Sequence, residues 1–285
     1  MAKRRGWLEW RSEQARDWIA VPGLADDKYT RGVLGVRTGS DGYPGAAVLS
    51  VEAAMRTGVG MVRYLGPENA ATLVLQRRPE IVTVPGRVQA WLLGSGMTAA
   101  ARDAETAAAL ERALSEGLPT VCDAGALDLA GRATGSTVIT PHFRELSGLL
   151  GLSGKPVTAA EIAADPGEWA IRAAAALQVT VLLKGAVTHV ASPSGALMTV
   201  SFAPAWLATA GSGDVLGGIL GALLATHSAR IDADADVVAA LAATAALIHA
   251  QAAVLASAGG PITALDVAEA VPATIATLLA GRGGE

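Results

Sequence analysis

Short apolar runs rich in β-formers alternate with alanine-rich helical patterns along most of this 285-residue sequence. "GMVRYLG" (60–66), "QAWLLGSG" (89–96), "LPTVCDAGAL" (118–127) and "STVITPH" (136–142) read as strands ending in turns or loops, and "VTVLLKGAVTHVAS" (179–192) contains β-rich runs broken at Lys184–Gly185. Between them, residues 46–57, the amphipathic "ARDAETAAALERALSEG" and "EWAIRAAAALQ" read as helices. The run after Asp214, an alanine-rich stretch over 237–258 and a C-terminal "PITALDVAEAVPATIATLLAG", capped by Thr263 or Asp266, follow as helices. Apolar strands alternating with helices predict an α/β fold with a central, mainly parallel sheet flanked by helices. No linker or internal repeat interrupts the pattern, so the expectation is a single domain over 1–285, with residues 1–25 as an N-terminal extension. The longest irregular regions are the first thirty residues and the loop "GLSGKPVTAAEIAADPGE".

Composition narrows the function classes. The formal net charge is −4, and the only basic cluster is Lys3, Arg4 and Arg5, which argues against a nucleic-acid surface. Cys122 is the single cysteine, so no intrachain disulfide forms and a cytoplasmic location is expected. The stretch 237–258 is long enough to span a bilayer. It is mostly alanine, carries His249 and Gln251, and follows the acidic "DADAD"; a buried helix is expected, not a membrane span.

In open parallel sheets, ligands bind beyond the carboxyl ends of the strands. Glycine-rich or polar clusters are expected there: "GSDGYPG" (39–45), "LGSGMT" (93–98), "TPHFRE" (140–145), "LKGAVT" (183–188) and "AGSGD" (210–214). Any one of them alone reads equally as an ordinary turn. The P-loop pattern is absent, and "GSGDVLGG" misses the dinucleotide fingerprint because Leu216 holds its last glycine position. The turn at Gly211, Ser212 and Gly213 offers another mechanism. Small residues let a phosphate approach the N–H groups at a helix start, where the helix dipole favours negative charge. Asp214 then faces a reacting hydroxyl as a base; the plain alternative is an N-cap aspartate.

The stretch "LATAGSGDVLGGILGALLA" resembles the nucleotide and catalytic signature of the ribokinase-like superfamily. "KYTRGVLGVRTGSDGYPGAAVLSVEAAMRTGVGMVRYLGP", "RPEIV", "LLGSGM", "DAGAL", "VITPHFREL" and "LLKGAVTHVA" resemble, in order, the NAD(P)H-hydrate dehydratases. The bacterial members are ADP-dependent and return the S-form of hydrated NADH or NADPH (NADHX, NADPHX) to the working cofactor, giving AMP and phosphate. The resemblance implies that Ala46, Gly96, His142 and Asp214 contact the hydrated dinucleotide. It implies that Lys184, Gly185, Ala186, Val187, Thr188 and Gly213 contact the adenine nucleotide. It makes Asp214 the base, Gly211 to Gly213 the phosphate turn, and Glu145 an organiser of magnesium through water. It further implies a homo-oligomer, a tetramer in relatives, working with a separate epimerase.

Two features depart from the family pattern: "GSGMT" stands where G-P-G-x-G is usual, and Gly125 replaces a second aspartate. His142 also reads as a helix cap, Lys184 as a surface lysine at a bend, and Tyr43 and Pro44 as turn formers. Trp206 reads as either core or pocket wall, and Cys122 as a buried small residue. The competing function is a small-molecule kinase of the hydroxyethylthiazole kinase type using the same Asp214 turn; a nucleotide binder without catalysis is the third.

Overall fold

Nine strands form one sheet in a computed structural model that describes residues 6–281 except 153, 155 and 235. Lys3, Arg4 and Arg5, two residues of the 151–168 loop and Ala235 of the acidic run therefore lie outside the described residues. The strands are β1 (Leu8–Glu9), β2 (Val33–Arg37), β3 (Met61–Tyr64), β4 (Ala90–Leu93), β5 (Thr120–Cys122), β6 (Thr137–Ile139), β7 (Thr180–Leu183), β8 (Thr188–Ala191) and β9 (Leu197–Val200). Their order is β1-β9-β8-β7-β6-β5-β4-β2-β3. Every neighbouring pair is parallel except β7–β8 and β8–β9. β8 is the one reversed strand because only the short turn 184–187 connects it to β7, too few residues for a parallel crossover.

The helices are α1 (Ser12–Arg16), α2 (Gly45–Thr57), α3 (Glu68–Arg77), α4 (Ala104–Leu114), α5 (Phe143–Leu152), α6 (Ala159–Ala164), α7 (Pro166–Leu177), α8 (Ser212–Thr226), α9 (Ser228–Ala233), α10 (Val237–Ser257) and α11 (Ala264–Ala280). Alternation along each strand splits the core in two. On β2, Leu34 and Val36 join the cluster with α2, α8, α10 and α11, whereas Val33 faces the cluster with α4, α5 and α7. The result is helix, sheet and helix in three layers. With few aromatic side chains, the first cluster closes by backbone approach. A Cβ on Gly218 of α8 would come 2.2 Å from the Ser50 carbonyl oxygen of α2, so these helices cross at a distance only glycine permits.

The expected central strands are present, and three expectations change. Residues 8–16 are not a loose extension: β1 pairs in parallel with β9, and Trp10 is buried with its Nε1 donating to Thr244 Oγ1 at 3.1 Å. β9 has no counterpart in the apolar alternation, since three of its four residues are half-buried. The loop 151–168 contains α6, whose start carries a capping box of Thr158 and Glu161. The long apolar stretch is α10. It meets the length and hydropathy of a membrane span, but 89% of its most apolar window is buried inside the protein. Thr263 and Asp266 form the capping box that opens α11.

Glu52 of α2 is fully buried, yet charged. Burial raises its pKa, but hydrogen bonds from Arg78, Arg56 and Arg77 win and hold it at about 2. Arg78 Nη2 and Arg77 Nη2 donate to its Oε1 at 2.7 and 3.2 Å. A depressed carboxylate contributes stability that is present above its ordinary value of 4.5 and lost as pH falls toward 2. Glu52→Ala is expected to cost about 3 kcal/mol at neutral pH, the lower end for breaking a buried pair because the arginines keep some access to water. Urea unfolding at pH 7 and pH 3 checks this; a deficit that does not shrink at pH 3 contradicts it.

Candidate active site at the carboxyl edge of the sheet

β2, β4, β5, β6 and β7 all end at the same edge, so parallel pairing brings residues 38–40, 94–96, 123, 140–142 and 184 side by side. Four of the five expected clusters follow these strand ends; the fifth opens α8. Gly39 N donates to Ser95 O and Ser40 Oγ to Gly96 O, both at 2.7 Å, which ties the first two loops together. Gly96 sits at φ +69°, and a Cβ there would come 2.3 Å from the Ala46 Cβ. Ala46 and Gly96 thus touch, and their small size brings the α2 start against the β4 loop.

Asp123 is the buried centre of this edge. Its Oδ2 accepts from Ser95 Oγ at 2.9 Å, and its Oδ1 accepts from Thr140 Oγ1 at 2.7 Å and Lys184 Nζ at 3.1 Å. Lys184 also lies 3.7 Å from Glu145 Oε2. Burial lowers the pKa of Lys184, but the carboxylates of Asp123, Glu145 and Asp214 outweigh it and hold the ammonium above its ordinary value. Lys184 is therefore not a surface lysine; it is a fixed positive charge. In the sequence Asp123 stands only as the first residue of "DAGAL", with no role assigned to it. Its position immediately after a strand, on the ligand edge, was the available signal. Cys122 itself is buried, and its thiol is pushed up to about 12 by burial and by Asp123 and Asp128, so it is unreactive.

His142 does cap α5. Its Nδ1 accepts from the N–H groups of Arg144 and Glu145 at 3.1 Å each, and Glu145 Oε2 accepts from His142 N at 2.8 Å. Nδ1 is thereby committed as an acceptor, which leaves the proton of the neutral ring on Nε2, 3.7 Å from Glu145 Oε2. Capping and a role at the cleft are compatible, because they use different ring nitrogens.

Asp214 is not an N-cap. Gly211, at φ +87°, occupies that position, and Asp214 is the third residue of α8. Its carboxylate has no hydrogen-bond partner among the described residues. Burial, then the charge of Asp123, raises its pKa to about 7 against the pull of Lys184. Behind the turn, His249 of α10 is buried, with its Nε2 unpartnered. Burial lowers it to about 4 despite a backbone hydrogen bond at Ser212, so it stays neutral and does not offset the charge of Asp214. A Cβ on Gly213 would lie 3.4 Å from Lys184 Nζ; the lysine therefore reaches across to the glycine turn.

The structure thus brings Asp214, Gly211 to Gly213, Lys184, Glu145 and His142 into one place. Ala46 and Gly96 form the adjoining wall, linked through Leu49 of α2, whose Cδ1 a Cβ on Gly211 would meet at 2.5 Å. Gly185, Ala186 and Val187 form an exposed turn leading to Thr188, with Gly185 packed against the Phe143 ring. Trp206 is half-exposed and not core. Gly125 is required by packing, since a Cβ would come 2.6 Å from Met97. A carboxyl that titrates at about 7, beside a fixed lysine and a helix start where, among the described residues, Ser212 N donates only to Thr209 O at 3.4 Å, can take a proton next to a bound phosphate. Lys184→Met removes the cation that pulls Asp214 down. The carboxyl of Asp214, followed by its carbon-13 shift, is then expected to titrate above about 7; an unchanged titration contradicts the coupling.

A family profile described as NAD(P)H-hydrate dehydratase matches residues 34–272. The chain is 45% identical over 222 residues to the bifunctional NAD(P)H-hydrate repair enzyme of Mycobacterium tuberculosis, covering 72% of this chain and 43% of that protein. It thus spans under half the length of that curated relative. It is 35% identical over 215 residues to the ADP-dependent (S)-NAD(P)H-hydrate dehydratase of Neisseria meningitidis, covering 70% of this chain and 71% of that one. The crystal structure of an ADP/ATP-dependent NAD(P)H-hydrate dehydratase from Bacillus subtilis, co-crystallised with ATP/Mg2+, superposes with a TM-score of 0.84 at 25% identity, covering 96% of this chain and 99% of that chain. The fold is accordingly ribokinase-like. With the profile matching most of its length and its strand-end residues gathered around Asp214, the chain belongs to the NAD(P)H-hydrate dehydratase family.

Proposed function

We propose that this chain catalyses ADP-dependent dehydration of the S-form of hydrated NADH or NADPH to NADH or NADPH, with release of AMP and phosphate. The observation that carries the reading is the unpartnered Asp214 carboxylate, held at about 7, at a glycine-lined helix start beside Lys184. The Neisseria relative, an ADP-dependent (S)-NAD(P)H-hydrate dehydratase, and the ADP/ATP-dependent Bacillus enzyme support this reading.

Hydroxide is a poor leaving group, whereas phosphate is a good one. Asp214 takes the proton of the ring hydroxyl as its oxygen attacks the terminal phosphorus of ADP, and the bond to AMP breaks. The lone pair of the ring nitrogen then expels phosphate. Loss of the neighbouring ring proton restores the double bond. The N–H groups of Gly211 to Gly213 and the Lys184 ammonium face the transferring phosphoryl group, where positioning and charge are most of the catalysis. His142 Nε2, Ala46 and Gly96 seat the dinucleotide, and the turn Lys184 to Thr188 receives the adenine nucleotide.

Among the described residues no group of three or more His, Cys, Asp or Glu side chains can hold a metal. Glu145, beside Lys184 at the cleft, would accept from a water of a magnesium ion held mainly by phosphate and water. Such an ion would neutralise phosphate charge. We further infer a cytoplasmic enzyme, a reading that its single, buried and unreactive cysteine supports, and a homotetramer. Val254 and Leu255, exposed near the end of α10, supply apolar surface for subunit contact.

The test is absorbance near 340 nm with hydrated NADH, magnesium and ADP or ATP, since regenerated reduced nicotinamide absorbs there and a phosphorylated product does not. A phosphorylated product without that signal supports the kinase reading. The rate is expected to rise with pH through about 7 as Asp214 ionises. Asp214→Asn is expected to fold, bind nucleotide and lose about a hundred- to ten-thousand-fold in rate. A folded-state pKa raised above 3.8 gives stability below that value which is lost as pH rises through about 7. Asparagine has no such penalty, so the variant's Tm should exceed wild type at pH 8 and not at pH 4. A variant retaining most of its activity removes Asp214 as the base.

A further inference from the structure

On the α4 side of β2, beyond the Ala46–Gly96 wall, lies a cavity of about 590 Å³, within the range of small-molecule sites. Its lining begins where the proposed active site ends. A Cβ on Gly96 would meet, besides Ala46, the Tyr43 carbonyl oxygen at 3.0 Å and the Gly39 Cα at 3.2 Å, and Gly39 and Tyr43 both line the cavity. A chain of close contacts therefore runs from the Asp214 turn through Leu49, Ala46 and Gly96 to the cavity lining at the sheet edge. At that crossing the chain presents glycine backbone, with Gly39 at φ +82° and Gly96 at φ +69°.

Arg37, at the end of β2, and Arg112, on α4, line this cavity and also a smaller one of about 150 Å³. Because Gly39 and Tyr43 do not line the smaller one, the arginine pair marks the end away from Asp214. Arg37 Nη1 donates to Leu65 O at 2.6 Å, and its guanidinium lies over the Trp91 ring, 6.0 Å from the centroid. Packing thus fixes it in place. Burial and then the charge of Arg112 push Arg37 below its ordinary value, which places two like charges together. Neither makes an ion pair among the described residues. Glu116 offsets part of this charge, but its Oε2 accepts from Trp91 Nε1 at 3.0 Å. Of the carboxylates lining the larger cavity, Asp103 caps α4 through Thr106 N, and Asp41 and Glu105 are exposed. Arg102 is committed to Asp128.

We propose that the cavity takes the adenosine end of the hydrated dinucleotide and that Arg37 and Arg112 bind a phosphomonoester on its ribose, so that NADPHX is preferred to NADHX. This rests on the proposed function. With the reacting ring at Asp214, the pyrophosphate, in the middle of the molecule, falls at the glycine crossing. The ribose 2′-phosphate falls at the far end. A dianion matches two guanidiniums that make no ion pair among the described residues, and arginine forks suit phosphate oxygens.

Steady-state kinetics with NADHX and NADPHX, on wild type and Arg112→Gln, test the proposal; Arg112 is exposed, so the variant keeps its core. Wild type should show the lower KM for NADPHX. The variant should raise KM for NADPHX relative to NADHX by about ten- to a hundredfold, the worth of one hydrogen bond to a charged group. Calorimetric titration with adenosine 2′-monophosphate, which requires no turnover, should show weaker binding to the variant by a similar factor. Dehydration of both substrates with equal KM changes, or equal adenosine 2′-monophosphate affinity in both proteins, overturns the subsite and leaves the reaction standing. Weaker binding in the variant, with neither substrate dehydrated by wild type, upholds the phosphate site and overturns the reaction.

Discussion

A single buried carboxylate holds the working edge of this sheet together. Asp123 accepts from Ser95 after β4, Thr140 after β6 and Lys184 after β7, and so ties four adjacent strand ends to one point. Its burial demands those partners, since an ionised carboxylate without them carries a large desolvation penalty. The same charge acts outward. It holds Lys184 protonated in a largely buried position and pushes the proton affinity of Asp214 upward. One residue thus sets the geometry of the edge and the electrostatics of both groups that face the cleft.

Where Asp214 sits is decided by the absence of side chains. Gly218 lets α8 press against Ser50 of α2, Gly221 sits against Leu34, and Gly211 takes a left-handed turn against Leu49. Gly94, at φ +96°, lets the Asp123 backbone pass at a distance no side chain allows. Close backbone approach takes the place of the aromatic side chains that are few in this sequence. The cost in chain entropy that glycine brings is offset by the burial of nearly the whole of α8 and α10.

Of the strands that carry the edge, β4 to β7 were legible in sequence because each is a continuous apolar run ending in a turn, whereas β2, interrupted by Gly35, was not read as a strand. β1 and β9 were not legible either. One has two residues and the other is half-buried on the flank, so neither shows a periodicity that spans enough residues to detect. The glycine turn, His142, Lys184 and Glu145 were readable from their motifs. Asp123 and His249 were not, because their roles depend on burial. Next to a cysteine and inside an alanine-rich helix they look ordinary, and only the fold places one beneath Lys184 and the other behind Ser212. Gly125 was read as a missing acid, whereas Met97 leaves no room for a side chain there.

The tuning of Asp214 follows first from its burial and then from which neighbours are charged. Lys184 alone would drive an ordinary carboxylate toward stronger acidity, and a base that weak removes protons poorly at neutral pH. Asp123 opposes it, and His249, neutral because it is buried, adds no second cation. An ionised His249 would undo that balance from behind the turn. Helix α10 passes the length and hydropathy test of a membrane span, but its depth in the core has a separate consequence. Burial around His249 keeps the imidazole uncharged, while the burial of Asp214 itself, followed by the charge of Asp123, holds its carboxyl at about 7.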